Sequence, residues 1–183
     1  MKSAAAGHGI NKGVFREAVT IQMSWPGAPT VYYADEAGQV GWTDPDNRRT
    51  YPWGKEDQTL IDLHRDLIHL RGELNVLKEG CLKRLHADYG RIAYARFDSA
   101  ARAIVAVNNT GGWTDFRLFV RDAGAPEGEV FWRRIQTTAD GHVTEPEKFG
   151  TVSDGYITFD LPPYSSVILY NHPGEDPEEL YSH

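Results

Sequence analysis

The side chains best equipped for chemistry crowd into residues 26–54. Asp35 and Glu36 are adjacent carboxylates. Asp44 and Arg48 are a carboxylate and a guanidinium one helical turn apart, and Tyr32, Tyr33, Trp42, Tyr51 and Trp53 set aromatic rings among them. Two carboxyls suit acid–base work, in which one group gives a proton while the other attacks or activates water. Neighbours on an extended segment point to opposite sides, however, so Asp35 and Glu36 cannot easily flank one bond. Asp44 and Arg48 can pair and stiffen the loop that carries them. The rings offer flat apolar faces of the kind that stack on the C–H face of a sugar; Tyr32, inside an apolar run, is read as core. Asp44, Asp46 and Asn47 share a glycine-bearing loop, but their spacing is not that of a calcium-binding EF-hand loop. His64 and His69 are too far apart in phase to share a helix face and make a poor metal pair. Cys81 is the lone cysteine, which excludes a disulfide framework and a cysteine-based zinc site. No metal and no cofactor is expected.

The elements that must hold these residues can be read from periodicity. Val14 to Met23 has helical character, with Val14, Ala18 and Ile21 on one face and Arg16–Glu17 pointing away. Pro26 and Gly27 end it. Thr30-Val31-Tyr32-Tyr33 reads as a buried strand, because β-branched and aromatic residues crowd without alternation. Residues 37–54, rich in Gly, Pro, Asp and Asn, form a loop. Leu60, Leu63, Leu67, Leu70, Leu74 and Leu77 draw one apolar stripe, with Asp57 as the helix cap. Gly72 is expected to end the regular part, leaving Leu74 and Leu77 in a turn. From Gly80 the texture becomes that of short strands: Cys81–Ala87, Arg91–Asp98, Ala103–Asn108, Thr114–Val120, Val130–Thr137, Tyr156–Leu161 and Ser165–Tyr170. Gly/Asn/Asp turns separate them, as in an antiparallel sandwich. In Arg91–Phe97 alternate residues face a core and a half-covered side. Trp25, Trp113 and Trp132 are assigned to cores or junctions, with a starch-binding surface of Trp113 and Trp132 as the alternative.

Composition narrows the classes. The chain has 183 residues, 40% of them hydrophobic, and a formal charge of −7. That is an ordinary globular composition. The acidic balance argues against a nucleic-acid groove, which wants a basic stripe. No apolar run approaches the about 20 residues of a membrane helix, and Met1–Gly9 is too weakly apolar for a signal-peptide core. A cytoplasmic location is the default expectation.

The order Pro26-Gly27-x-Pro29, Tyr32-Tyr33-x-Asp35-Glu36-x-Gly38, Asp44-Pro45-x-x-Arg48, Pro52-Trp53 resembles the end of the catalytic barrel in the α-amylase superfamily of glycoside hydrolases. The nearest flavour is the neopullulanase, maltogenic amylase and cyclomaltodextrinase group. Ala103–Asn109, an apolar run ending in Asn, and Leu161-Pro162-Pro163-Tyr164-Ser165-Ser166-Val167-Ile168-Leu169 extend the likeness into the small β domain, called domain C, that follows the barrel. The resemblance covers about residues 14–171. It implies that the Asp-Pro-x-x-Arg loop lines a sugar cleft, with Asp44 and Arg48 bonding glucose hydroxyls and Trp42 and Tyr33 as substrate-binding rings. It also implies that the catalytic carboxylates lie on motifs absent here, so the chain carries no catalytic residue.

The expected fold is mainly β: an antiparallel β-sandwich preceded by an α/β remnant of a (β/α)8 barrel, because a full barrel needs about 250 residues. Residues 1–79 are read as the remnant, 80–172 as the domain-C-like sandwich and 173–183 as an acidic tail. The remnant's leucine stripe and open strand edges must be covered by self-association, giving a homo-oligomer, or by packing onto the sandwich. The functional expectation is a C-terminal piece of an α-glucan-acting glycoside hydrolase, inactive alone. The alternatives are a carbohydrate-binding module and an assembly part that needs a complementary chain. The expected partner is an α-glucan or maltooligosaccharide, with no nucleic acid and no membrane.

Overall fold

A computed structural model describes residues 11–41 and 43–172. Residues 1–10 and the acidic tail from residue 173 lie outside the described residues. Helix α1 (Lys12–Ser24) is capped by the Asn11 side chain, which accepts from the Val14 amide. Its buried arc is not the expected one. Arg16, Glu17, Val19, Thr20, Met23 and Ser24 face inward, while Ala18 is exposed and Val14 and Ile21 are half-buried. Polar partners decide this orientation. Arg16 donates to the carbonyls of Ala139 (2.8 Å) and Asp140 (3.3 Å) and to Thr59 Oγ1 (3.2 Å). Ser166 Oγ donates to Thr20 Oγ1 at 2.8 Å and lies 2.7 Å from Thr137 Oγ1; Ser24 Oγ lies 2.6 Å from the Tyr94 hydroxyl. A buried polar side chain is tolerated where its hydrogen bonds are made.

Helix α2 (Gln58–Glu73) begins at Asp57, whose carboxylate accepts from the Thr59 amide. It runs through Gly72, breaks at Leu74 and resumes as the short α3 (Asn75–Glu79). Leu74 and Leu77 are therefore not stranded in a turn: both stay buried with Leu63, Leu67 and Leu70. The strand expected at 30–33 does not form. From Tyr32 the backbone closes on itself in successive turns, with Asp35 N bonding Tyr32 O and Gln39 N bonding Ala34 O. A strand needs a neighbour to take its amides and carbonyls; with none beside it, local turns satisfy them instead. Tyr32, read as core, is 49% exposed.

Among the described residues nine strands follow: β1 (Cys81–Asp88), β2 (Arg91–Phe97), β3 (Arg102–Asn108), β4 (Thr114–Phe119), β5 (Val130–Thr137), β6 (His142–Val143), β7 (Glu147–Thr151), β8 (Tyr156–Leu161) and β9 (Ser165–Tyr170). The larger sheet runs β1-β2-β3-β9-β5-β6, with β7 also paired to β5; β4 and β8 form a second, two-stranded sheet. All the pairs are antiparallel. β6 and β7 had no sequence signal: one is two residues long, and the other follows Pro146 and contains Gly150.

The central strands are covered on both sides. Ala93, Ile104, Ala106, Phe131, Val167 and Leu169 meet Phe116, Leu118, Ile157, Phe159 and Leu161 of the small sheet. On the opposite face Tyr94, Val105, Ile135 and Ile168 meet Val19, Met23, Leu63, Leu67, Leu70 and Leu77 of the helices. The leucine stripe is thus buried against the sandwich. The side of β2 expected to be half-covered is covered by helices: Tyr94 is 1% exposed. Trp25 stays near that junction, edge-on to Tyr94 at 5.2 Å. Trp113, assigned to a core, stands 72% exposed in the β3–β4 turn. No helix among the described residues is long and apolar enough to cross a membrane.

Two guanidinium groups lock the seam. Arg96, 1% exposed, donates to the carbonyls of Ser24 (2.7 Å), Leu77 (2.8 Å) and Gly80 (2.8 Å). Arg71 donates to those of Met23 (2.7 Å), Leu77 (2.9 Å) and Gly27 (2.5 Å). We expect Arg96→Leu to lower unfolding free energy by about 3 kcal/mol or more, the scale seen when one side of a buried charged network is removed. Urea denaturation measures it; a loss under about 1 kcal/mol would show that the carbonyls find other donors.

Glu17 sets a pH dependence. Burial pushes its carboxyl up from 4.5 to about 8. The folded state therefore holds a proton there that the unfolded chain has released. This contribution to stability is complete below pH 4.5 and is lost as pH rises to about 8. The carboxylate of Asp98, held down by the amides of Ala101 and Ala100, acts in the opposite sense and at lower pH, below its ordinary 3.8. Thermal unfolding across pH 5–8 is thus expected to show a falling midpoint, and Glu17→Gln is expected to flatten it. Equal slopes in both proteins would refute the assignment.

Candidate functional site

The loop from Ala34 to Asp57 hangs between two fixed ends. At one end Ala34 takes a left-handed conformation (φ 65°) and is buried. At the other, the Asp57 amide bonds the Ala37 carbonyl at 3.0 Å, which ties the turn 33–38 to the start of α2. Between them Gly41 lies against the backbone of Asn47. A Cβ at Gly41 would come within 2.5 Å of the Asn47 Cα, so only glycine allows this approach. A single 3-10 turn, Asp46–Arg48, follows a cis Asp44–Pro45 bond.

This geometry brings three of the four expected ligand-contacting residues onto one surface. Asp44 Oδ1 and Arg48 Nε are 2.8 Å apart, with side chains 60% and 68% exposed. The Tyr33 hydroxyl donates to the Arg49 carbonyl at 2.5 Å, which puts that ring beside the Asp44–Arg48 turn. Trp42, the fourth, lies outside the described residues. Sequence reasoning missed the second pair in the turn, Arg49 with Asp46 at 2.6 Å. The signal was a carboxylate and a guanidinium three residues apart. Tyr51 and Trp53 pack at 4.5 Å between ring centroids, with Trp53 81% exposed.

Next to the loop is a cavity of about 510 Å³ lined by Val31, Tyr33, Glu36, Ile61, His64 and Ile68, among others. Asp35 and Glu36 sit in the same tight turn rather than on opposite walls. Burial pushes the Asp35 carboxyl up, opposed by the charge of His64 and aided by that of Glu36. His64 is buried, with Nδ1 2.7 Å from the Leu60 carbonyl. Among the described residues no three His, Cys, Asp or Glu side chains converge as a metal site. The loop can therefore offer paired charges and aromatic faces to a hydroxyl-rich ligand, but not two facing carboxyls.

The β-sheets decide the family. The profile of the α-amylase C-terminal all-beta domain matches residues 83–172. The chain belongs to the α-amylase superfamily. Amylopullulanase of Thermoanaerobacterium saccharolyticum is 33% identical over 174 residues, covering 87% of this chain and 12% of that protein. Neopullulanase 2 of Thermoactinomyces vulgaris is 33% identical over 167 residues, covering 89% of this chain and 26% of that protein. The chain thus spans a small part of these relatives. Among solved structures, an α-amylase from Geobacillus thermoleovorans complexed with acarbose superposes with a TM-score of 0.73 at 22% identity, over 88% of this chain and 34% of that one. An Anoxybacillus α-amylase gives 0.72 at 24% identity, over 91% and 33%. These superpositions show the fold. They include the helices as well as the sandwich, because the β domain alone is too small a share of the chain to account for that coverage.

An exposed ion pair is worth about 0–1 kcal/mol, since water competes for both charges. Asp44→Ala is accordingly expected to leave the stability of the chain within about 1 kcal/mol of the parent, read by urea denaturation. A larger loss would mean that Asp44 holds the loop in place and is not a spare contact.

Proposed function

We propose that this chain is the C-terminal part of an α-glucan-acting glycoside hydrolase, contributing a sugar-contact loop and a β domain but no catalytic centre of its own. One observation carries the reading. The acidic residues of the candidate site, Asp35, Glu36, Asp44 and Asp46, all belong to one connection, the segment between α1 and α2, and no second rigid element brings a carboxyl to face them among the residues that line the adjoining cavity. Retaining hydrolysis needs two carboxyls about 5–5.5 Å apart across the scissile bond, and inversion needs a wider opposed pair. The names of the relatives, amylopullulanase and neopullulanase 2, support the glucan class.

The loop's exposure favours a second reading, a non-catalytic carbohydrate-binding module. Asp44, Arg48, Tyr33 and Trp53 are all accessible, and charge-assisted hydrogen bonds to hydroxyls are stronger than neutral ones. A third feature bears on assembly: Ile68, 51% exposed, borders the cavity beside the loop and leaves an apolar wall for a complementary chain to cover. Self-association is one way to cover it.

Incubation of the chain with pullulan, maltotriose and a cyclodextrin is expected to release reducing ends no faster than buffer alone. Release above background that vanishes in Asp35→Asn or Glu36→Gln would overturn the proposal.

A further inference from the structure

Helix α2 carries two stripes of aliphatic side chains. Leu60, Leu63, Leu67 and Leu70 are buried. Ile61, Arg65 and Ile68 follow a second stripe, spaced four and three residues apart. With Val31 and Tyr33 they line the cavity of about 510 Å³ beside the loop. Ile68 is 51% and Tyr33 45% exposed. Single exposed apolar residues are ordinary, but a contiguous apolar wall around an open cavity marks an interaction surface.

The backbone here is unmet as well. Among the described residues the Val31 amide and carbonyl make no hydrogen bond. Val31 and Tyr33 are two residues apart and line the cavity together, as alternate residues of an extended segment do. An antiparallel neighbour would take up the free amide and carbonyl.

Charge selects what that neighbour is. Glu36, in the turn 33–38, and Arg65, on α2, come to the same cavity from two elements. Glu36 makes no ion pair among the described residues. One guanidinium nitrogen of Arg65 bonds Asp62 at 2.7 Å, and the group has five N–H donors, so it can hold a second carboxylate. A lining of one sign would call for a partner of the other sign. A lining with one charge of each sign is complementary to itself, which is what a two-fold contact between identical surfaces needs. The whole chain carries −7, so two copies repel on average. This face, with one carboxylate and one guanidinium, adds nothing to that repulsion.

We propose that this face binds a second copy of the chain across a two-fold axis. The segment around Val31 pairs antiparallel with its own copy, a symmetric arrangement by construction. Ile68 of each copy covers the other's cavity, and Glu36 of each meets Arg65 of the other. The patch is one face of a 16-residue helix, about 24 Å long, and a short segment beside it. That is less than the about 800 Å² per partner of a standard interface, so the dimer is weak, with Kd on the order of 100 µM.

Sedimentation equilibrium of the full chain, from about 10 µM to about 1 mM, tests it. The average mass is expected to rise from one copy towards two across that range. Ile68→Glu, at an exposed position, is expected to raise Kd at least about tenfold by burying an unpaired charge. Glu36→Arg and Arg65→Glu are each expected to raise it about fivefold. An equimolar mixture of these two variants is expected to dimerise at least as well as the parent, because opposite charges then meet at both contacts. Thermal melts verify that the three variants fold. A chain that stays monomeric at about 1 mM would overturn the proposal, and so would a dimer that Ile68→Glu leaves intact. A mixture no tighter than either charge variant alone would overturn it too. A monomer that binds an apolar dye at a site lost in Ile68→Glu would exclude the second copy and leave the face to a different chain.

Discussion

Positive charge buried without a carboxylate holds this protein together. Arg71 and Arg96 reach into the seam where α1, α3 and β2 meet, and every hydrogen bond recorded for them goes to a backbone carbonyl. The acceptors are the last carbonyls of α1, the last of α3 and those of the chain just beyond. Helix C-termini leave such carbonyls unpaired and carry a partial negative charge. The guanidiniums thus meet two needs at once: they satisfy orphan acceptors, and they find a counter-charge in the helix ends. Burial and the neighbouring Arg71 both pull the Arg96 guanidinium below its ordinary value. Arg16 repeats the device at the other end of α1, tying it to the Ala139–Asp140 turn.

Everything functional hangs from that seam. α1 is fixed at its end by Arg71 and Arg96 and along its length by the Thr20–Ser166–Thr137 hydroxyls. α2 is fixed by its leucines and by Asp57, which also pairs with Lys12 at 2.5 Å. The Asp44–Arg48 loop is therefore stiff at both ends and open in the middle, where its ion pairs stand in water.

What could be read in advance follows from how local each signal is. The leucine stripe, the Asp57 cap and seven of the strands carry their own periodicity, and they stand within a residue or two of where that periodicity puts them. The Asp44–Arg48 pair was legible for the same reason, since a four-residue spacing is a local fact. The failures are non-local. Thr30–Tyr33 has strand composition, but a strand is made by its neighbour, and none lies beside it. The charges of Arg16 and Glu17 pointed to solvent; Thr59 Oγ1 and the carbonyls of a loop more than a hundred residues later turn Arg16 inward. Trp113 looked like core because tryptophan usually is, and nothing in Gly111-Gly112-Trp113 says that this turn projects outward. The bond from Tyr33 to Arg49 was invisible, because it depends on how the loop folds back.

These contrasts bear on what kind of work the chain can do. Bond cleavage demands two groups held at a fixed separation by separate rigid elements, so that the geometry survives thermal motion. Here Asp35, Glu36, Asp44 and Asp46 belong to a single connection. The rigid part of the molecule spends its strongest polar groups on the carbonyls of its own backbone. Aromatic rings also stand exposed in the strand turns, at Tyr89 and Trp113. Rings of that kind suit the recognition proposed above. A superfamily built around hydrolysis can keep such a part because placing a long polymer takes contacts far from the bond that breaks, and contacts of that kind need shape and burial but no catalytic pair.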